Sequence, residues 1–274
     1  MNEKPKHVEW LVDTGERLTT ADGRTVEVWE LRHQPDAAVL SAWAKHFREH
    51  YCLDSDLDEL CYPDSHKDFL LKKILPDKNK GWGPSVRAGD FGEILVADLF
   101  EYKFGYWVPR IRWVDKPKRN QSSQGSDMLG FKISNDYEDS PDDEITVCEA
   151  KTQFSGKDIE PKLQEAIDHS MKDEIRMGES LVWLKRRTLQ LAPEEKKKLF
   201  QQRIERFQSP VDRPHKTTYN AAALFSIDIF NPNHIAITDA SAHPHASSLR
   251  LIIIRGEMMM KVVHELYSRA ADEA

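Results

Sequence analysis

The sequence has 274 residues, of which 39% are hydrophobic and 31% charged, and its formal net charge at pH 7 is −7. This length supports a full core in one or two domains, and the negative charge argues against a protein that coats nucleic acid by bulk charge. Three cysteines, none in a Cys-x-x-Cys pair, argue against a structural zinc site. Because no apolar run reaches membrane-spanning length and no apolar leader is present, we expect a cytoplasmic protein.

The N-terminal part predicts a small β-hairpin followed by a helix. Residues 8–12 and 25–31 alternate apolar and polar side chains, and Asp22 with Gly23 is typical of a tight turn between two strands. A helix is predicted to begin near Pro35, because apolar side chains then recur at helical spacing.

A histidine motif lies in this helix. His46, Glu49 and His50 match the H-x-x-E-H pattern of inverted zinc peptidases, in which two histidines bind zinc and the glutamate is the general base. No later helix offers an obvious signature for a third ligand. The alternative is that the two histidines flank an apolar stripe and bind nothing.

A second helical region contains a candidate acidic ligand. Residues 65–75 predict a helix that ends at Pro76, and residues 89–100 predict a strongly apolar helix that packs under a sheet. Asp90 and Glu93 would lie in the first turn of the latter helix, with the spacing of a capping pair. Glu93 could instead reach a metal ion, and the local pattern leaves both interpretations open.

A basic and polar segment follows a predicted short strand at residues 107–114. Its cationic residues, Lys116, Lys118 and Arg119, form one cluster with Arg110 and Arg112 of the strand. Such a cluster predicts a path for a DNA phosphate backbone, because arginine and lysine make most contacts to phosphate. A solvated loop with scattered charge is the alternative.

Two further runs alternate with period two and predict a hairpin, at residues 126–133 and 145–151. We expect Ile133 to pair with Ile145 across it. An acidic turn connects the two strands, and it lacks the glycine and final glutamate of a calcium-binding loop.

In that register Asp127 lies opposite Lys151, and Glu149 lies one pair along on the same face. Directly opposed side chains are about 5 Å apart and diagonal ones about 7–8 Å. Carboxylate oxygens suit Mg²⁺, and a neighbouring lysine can hold the attacking water or steady phosphate charge. The pattern therefore predicts metal-assisted phosphodiester hydrolysis, with an ordinary surface salt bridge as the alternative.

The rest of the chain predicts helices and then strands. A helix is predicted from about residue 161 to residue 177, then an apolar stretch with a basic insert at 180–191 and a charged helix at 193–207. Strands are predicted at 224–230 and 249–254 before an apolar closing helix. We divide the chain into an N-terminal hairpin and helical region, 1–80, and an α/β core, 81–274, or join the two in one continuous domain. The sequence contains no phosphate-binding loop of an NTPase, so any ATP-dependent step requires another subunit.

Three short motifs together resemble the PD-(D/E)XK nuclease superfamily. They are Gly92-Glu93 at a helix start, Gly125-Ser126-Asp127 at a strand start and Glu149-Ala150-Lys151 at a strand end. Ser126 departs from the superfamily pattern, because it stands where the proline of the name would be. More narrowly, these motifs, the helix around residues 43–51 and the strand at 249–254 resemble the HamA family of nuclease subunits from the Hachiman antiphage defence system.

The resemblance implies a central mixed sheet flanked by helices. It also implies that Glu93, Asp127 and Glu149 bind Mg²⁺ or Mn²⁺ and that Lys151 handles water or phosphate. The implied activity is DNA cleavage, and the implied partner is a superfamily-2 helicase, HamB, that restrains the nuclease. A non-catalytic adaptor with a nuclease-like fold is the alternative from another class of function.

Overall fold

The computed structural model describes residues 4–110, 112–114, 116, 118–123, 125–135 and 138–274. Six strands form one sheet, and helices cover both of its faces. The strands are β1 (Leu11–Thr19), β2 (Thr25–Leu31), β3 (Met128–Lys132), β4 (Glu144–Gln153), β5 (Lys216–Ser226) and β6 (Arg250–Gly256). The helices are α1 (Ala37–Arg48), α2 (Asp54–Leu60), α3 (His66–Phe69), α4 (Gly83–Tyr102), α5 (Lys162–Ser170), α6 (Asp173–Leu191), α7 (Glu194–Glu205), α8 (Pro232–Ala236) and α9 (Met259–Asp272).

The sheet is mixed, with the strand order β1-β2-β6-β5-β4-β3. The two outer pairs, β1 with β2 and β3 with β4, are antiparallel hairpins. The inner pairs are parallel. The predicted fold class, a central mixed sheet flanked by helices, is confirmed, and the N-terminal hairpin is part of the same sheet through β2 and β6.

The core has two main parts, one on each face of the sheet. On one face α1, α4 and α9 pack their aromatic and aliphatic side chains together, among them Trp43, Phe91 and Tyr267. On the other face α5 packs Leu163 and Ile167 against the sheet. Burial of this apolar surface supplies most of the stabilisation of such a domain.

Helix α4 approaches the sheet very closely at Gly92. A Cβ atom at Gly92 would lie 2.3 Å from Cγ2 of Thr152, which is closer than real Cβ contacts allow. The absence of a side chain at Gly92 therefore lets α4 press against β4. This contact brings Glu93, the next residue, to the sheet.

The helix boundaries change the interpretation of Asp90 and Glu93. Helix α4 begins at Gly83, so both residues lie well inside the helix and are buried. The prediction that they lie in the first turn as a capping pair was wrong, because the helix already begins at Gly83 and has Pro84 in its first turn, where a proline is favourable.

Three predicted strands have different limits in the structure. Residues 6–10 form a 3-10 turn before β1. Residues 107–114 contribute only one bridge among the described residues, between Trp107 and Phe131, partly because Pro109 has no N–H to donate. The strand predicted at 224–230 ends at Ser226, since the chain then turns in a 3-10 helix.

Candidate active site

The β3–β4 hairpin is confirmed, but its register differs from the prediction by two residues. Phe131 pairs with Ile145 and Met128 with Cys148. Asp127, one residue before β3, therefore comes beside Glu149 rather than Lys151. A shift of two residues leaves every side chain on its predicted face, so the apolar pattern could not distinguish the two registers.

Three separate segments bring the four predicted site residues to one region. Glu93 comes from the middle of α4, Asp127 from the loop before β3, and Glu149 and Lys151 from β4. Asp127 is fixed by the main chain of β4, because its Oδ2 accepts a hydrogen bond from the N–H of Ala150 at 3.0 Å. The structure thus places all four residues near the same end of the hairpin.

Arg112 lies between two of these carboxylates. Its Nε donates to Oε2 of Glu93 at 2.9 Å, and its Nη2 donates to Oδ1 of Asp127 at 3.0 Å. The guanidinium also donates to the carbonyl oxygens of Ser123 and Ser126. A buried cation therefore holds together the two acids that were predicted to bind a metal, although Arg112 itself was predicted to contact DNA.

Burial strongly disfavours negative charge at this site. Burial raises the pKa of Glu93 to about 8, Arg112 opposes that shift, and Asp127 and Asp90 add to it. Burial likewise raises the pKa of Glu149, with a further increase from Asp127 and an opposing effect of Lys151. Acids of this kind need a nearby cation to be ionised at neutral pH.

Lys151 provides the cation for Glu149. The ammonium contacts Oε1 of Glu149, and Nδ1 of His169 lies 3.4 Å from the same oxygen. The Lys151 side chain keeps 21% of its surface exposed, whereas that of Glu149 keeps only 4%. Lys151 can therefore reach a molecule that arrives from solvent.

The carboxylates fit a hard divalent cation in their chemistry, but they are not gathered around one point. Among the described residues, the three side chains whose possible metal-ligand atoms all lie within 4.8 Å of one another are those of His7, His46 and Asp98. Glu93 and Asp127 are instead separated by Arg112. Glu93, Asp127 and Glu149 could hold Mg²⁺ or Mn²⁺ only if Arg112 gave up part of its contacts.

Asp173, which is completely buried behind the site, was not among the predicted site residues. Its Oδ1 accepts a hydrogen bond from Oγ of Ser126 at 2.9 Å, and its Oδ2 has no partner among the described residues. Burial raises the pKa of Asp173 to about 7, and Glu149 and Asp127 contribute to this shift. The predicted helix at 161–177 hid this residue, because the chain breaks at Met171 and starts α6 at Asp173.

We expect the unfolding free energy of Asp173→Asn, relative to that of the wild type, to increase as the pH rises from about 4 to about 7. In this range the unfolded Asp173 loses its proton while the folded one retains it, so the folded wild type binds more protons and loses stability with increasing pH. Asparagine has no proton to lose. Denaturant unfolding of both proteins at several pH values measures the difference in unfolding free energy, and a difference that is constant with pH would contradict the expectation.

Most of the predicted DNA-contacting cations have acidic partners inside the protein. The pairs are Arg110 with Asp98 and Glu101, Arg112 with Glu93 and Asp127, Lys116 with Asp90, and Arg119 with Asp77. Lys118 is exposed. A phosphate backbone that used the four paired residues would therefore compete with ion pairs that already exist.

The H-x-x-E-H motif does not form a zinc site. The ring of His50 donates from Nδ1 to the carbonyl oxygen of His46 at 2.6 Å, and its Nε2 accepts from Nη1 of Arg110 at 3.0 Å. Both ring nitrogens of His50 are thus occupied. Glu49 lies 3.9 Å from Lys45 in a surface ion pair, so the motif does not supply a general base beside a metal.

His46 instead belongs to a buried network around Asp98. Nε2 of His7 and Nε2 of His46 lie 3.0 and 3.2 Å from the two oxygens of Asp98, and Arg110 pairs with the same carboxylate at 2.9 Å. Burial alone would raise the pKa of Asp98, but Arg110 and the histidines hold it well below its usual range. The carboxylate of Asp98 is thus compensated by the guanidinium of Arg110.

Fold and site together define an α/β protein with a buried cluster of carboxylates and cations at the end of a sheet hairpin. The sequence model of the HamA family matches residues 6–270, which is nearly the whole chain. The protein belongs to the HamA family and is a component of the Hachiman antiphage defence system. No curated protein matches the chain. None of the helices among the described residues combines the length and apolar character needed to cross a membrane.

Proposed function

We propose that the protein is a metal-dependent DNA nuclease and the effector subunit of a Hachiman complex. The observation that carries the proposal is the meeting of Glu93, Asp127, Glu149 and Lys151 from separate segments at one end of the hairpin. Buried acids destabilise a fold unless they are compensated, so such a cluster is a candidate for function. Membership of the HamA family supports the same activity.

The residues of the site would divide the work of phosphodiester hydrolysis. A bound Mg²⁺ or Mn²⁺ would supply Lewis-acid stabilisation of the phosphate charge. Asp127, held by the N–H of Ala150, presents a fixed carboxylate oxygen, and Glu93 and Glu149 complete an oxygen-rich ligand set. Lys151, partly exposed beside Glu149, would orient the attacking water or steady the negative charge that develops on phosphate.

The proposed regulator is the superfamily-2 helicase HamB. The net charge of −7 and the internal pairing of Arg110, Arg112, Lys116 and Arg119 both predict weak intrinsic affinity for DNA. A helicase would bring DNA to the site and supply the ATP-dependent step. Weak affinity in the isolated subunit also protects the DNA of the host.

Cleavage of supercoiled plasmid and single-stranded DNA by the purified protein tests the proposal. We expect cleavage with Mg²⁺ or Mn²⁺, either by the subunit alone or with HamB and ATP, and loss of cleavage with EDTA. Cleavage that persists in EDTA contradicts metal dependence. A complex that assembles with HamB and cuts no DNA under any of these conditions contradicts the nuclease assignment.

A non-catalytic adaptor is the second candidate, and one observation favours it. Arg112 and Lys151 already neutralise the three acids, as they would in a site whose role is to hold α4 against the hairpin. An adaptor would bind HamB equally well with or without metal. The zinc peptidase alternative has no comparable support, because Glu49 and His50 have other partners.

A further inference from the structure

A cavity of about 240 Å³ opens beside the candidate active site. Asp127 and Arg112 form one side of it, and α6 and the chain after α4 form the others. We propose that this cavity binds one unstacked base of single-stranded DNA next to the bond that is cut. This inference rests on the proposed nuclease function and adds a binding site that selects unpaired strands.

The walls of the cavity suit a flat, largely apolar ring. Aliphatic and aromatic side chains dominate the lining, and they include Val108, Trp113, Met128, Leu129, Trp183 and Leu184. Most of these side chains are buried, whereas Trp183 and Leu129 are partly exposed and can contact an incoming group. Stacking of a base on an aromatic side chain contributes about 1–3 kcal/mol.

The charges that line the cavity disfavour a phosphate group as its occupant. Glu179 and Asp127 place carboxylates on the lining, and they would repel a second anion. Arg112 is the lining cation, and its guanidinium is already shared between Glu93 and Asp127. An uncharged ring therefore enters this cavity more favourably than a phosphate does.

Polar groups at the cavity can recognise the edge of a base. Oγ of Ser180 accepts a hydrogen bond from the N–H of Ser126 at 3.3 Å, which leaves the hydroxyl proton of Ser180 to donate to a base oxygen or nitrogen. Glu179 is exposed at the cavity and can accept from an exocyclic amino group. These groups complement the apolar walls.

The size of the cavity and its position point to a base from an unpaired strand. Pockets for drug-sized molecules are typically about 300–1,000 Å³, so a cavity of 240 Å³ suits a single ring system. In a DNA strand, each flat base is attached to a sugar that adjoins a phosphodiester bond. A base can leave a single strand without breaking a pair, whereas a duplex must be opened first.

Fluorescence anisotropy with two labelled 12-nucleotide strands tests the inference. One strand is ordinary single-stranded DNA, and the other carries a central run of tetrahydrofuran abasic residues with the same phosphates. Binding is measured with Mg²⁺ in a Lys151→Ala background, which the proposed function predicts to be inactive in cleavage. We expect the ordinary strand to bind about tenfold more tightly, as one stacked base would allow.

Variants of the cavity wall test whether the preference for the ordinary strand arises in the cavity. Trp183→Ala is expected to reduce the preference for the ordinary strand to near one, Trp183→Phe to retain most of it, and Leu129→Phe to reduce it by filling the cavity. Trp82→Ala is the control, because Trp82 is 76% exposed and does not line the cavity. Thermal unfolding establishes that each variant is folded.

Three results would overturn the inference. They are equal binding of the two strands, no binding of either strand, and a preference that Trp183→Ala and Leu129→Phe leave unchanged. Plasmid cleavage by the protein with an intact Lys151 decides the proposed function separately. A protein that cuts DNA and shows no base preference loses only this inference.

Discussion

Lys151→Ala is expected to abolish DNA cleavage while the chain keeps its fold and its binding to HamB. Lys151 is the partly exposed cation beside Glu149, and it is the residue we assign to the water or the phosphate. Loss of one such stabilising group typically reduces the rate by about 10²–10³-fold. Asp127→Ala is expected to have an equal or larger effect on cleavage, because it removes a proposed metal ligand. Plasmid cleavage and co-purification with HamB measure the two outcomes.

The chain offers two matched controls for this experiment. Lys162 lies in another Glu-x-Lys pair, and its ammonium contacts Glu160 and Glu165 rather than a carboxylate of the site, so Lys162→Ala makes the same change in the same local motif. His46→Ala alters the network around Asp98 and not the hairpin. Both variants should retain cleavage largely unchanged. Equal losses in all of these variants, or full activity of Lys151→Ala, would contradict the site assignment.

The hairpin shows what an alternating pattern can and cannot predict. Alternation in β3 and β4 correctly indicated two strands and the face of each side chain. It could not fix the register, because a shift of two residues preserves both faces. The turn is held by Asp143, whose carboxylate accepts hydrogen bonds from the N–H of Ser134 at 2.8 Å and from Nε of Arg206 at 2.8 Å. Arg206 is distant in sequence, so no local pattern contains this constraint.

The contacts of the candidate site were less predictable than the strands that carry it. The carboxylates and Lys151 stood out because they were polar residues on otherwise apolar elements. Arg112 lies in an irregular segment, and only the packing of α4 against the hairpin determines that it pairs with Glu93 and Asp127. Asp173 was not identified from the sequence, because one helix was predicted where the structure has α5 and the start of α6.

Removal of Arg112 gives the clearest test of whether the site is built to hold a second cation. We expect Arg112→Ala to destabilise the metal-free protein by about 3–5 kcal/mol, because it leaves buried acids without their partner. The loss should grow as the pH rises through about 8, because the wild type ionises Glu93 there, at a pKa that burial raises to about 8, whereas the variant lacks the lowering effect of Arg112 and retains the proton to higher pH. Thermal unfolding in EDTA measures this loss of stability, and we expect the midpoint temperature to fall by an amount on the order of 10 °C for a chain of this size.

Addition of Mg²⁺ or Mn²⁺ should then stabilise Arg112→Ala more than it stabilises the wild type, because the metal no longer competes with the guanidinium for Glu93 and Asp127. The control is Arg186→Ala, at an exposed position on α6, which should change stability by less than about 0.5 kcal/mol with or without metal. An Arg112→Ala protein that is destabilised but insensitive to metal would mark the acids as structural and favour the adaptor. Because the readout is unfolding and not cleavage, a metal-dependent gain would establish a cation site even in a subunit that requires HamB to cut DNA.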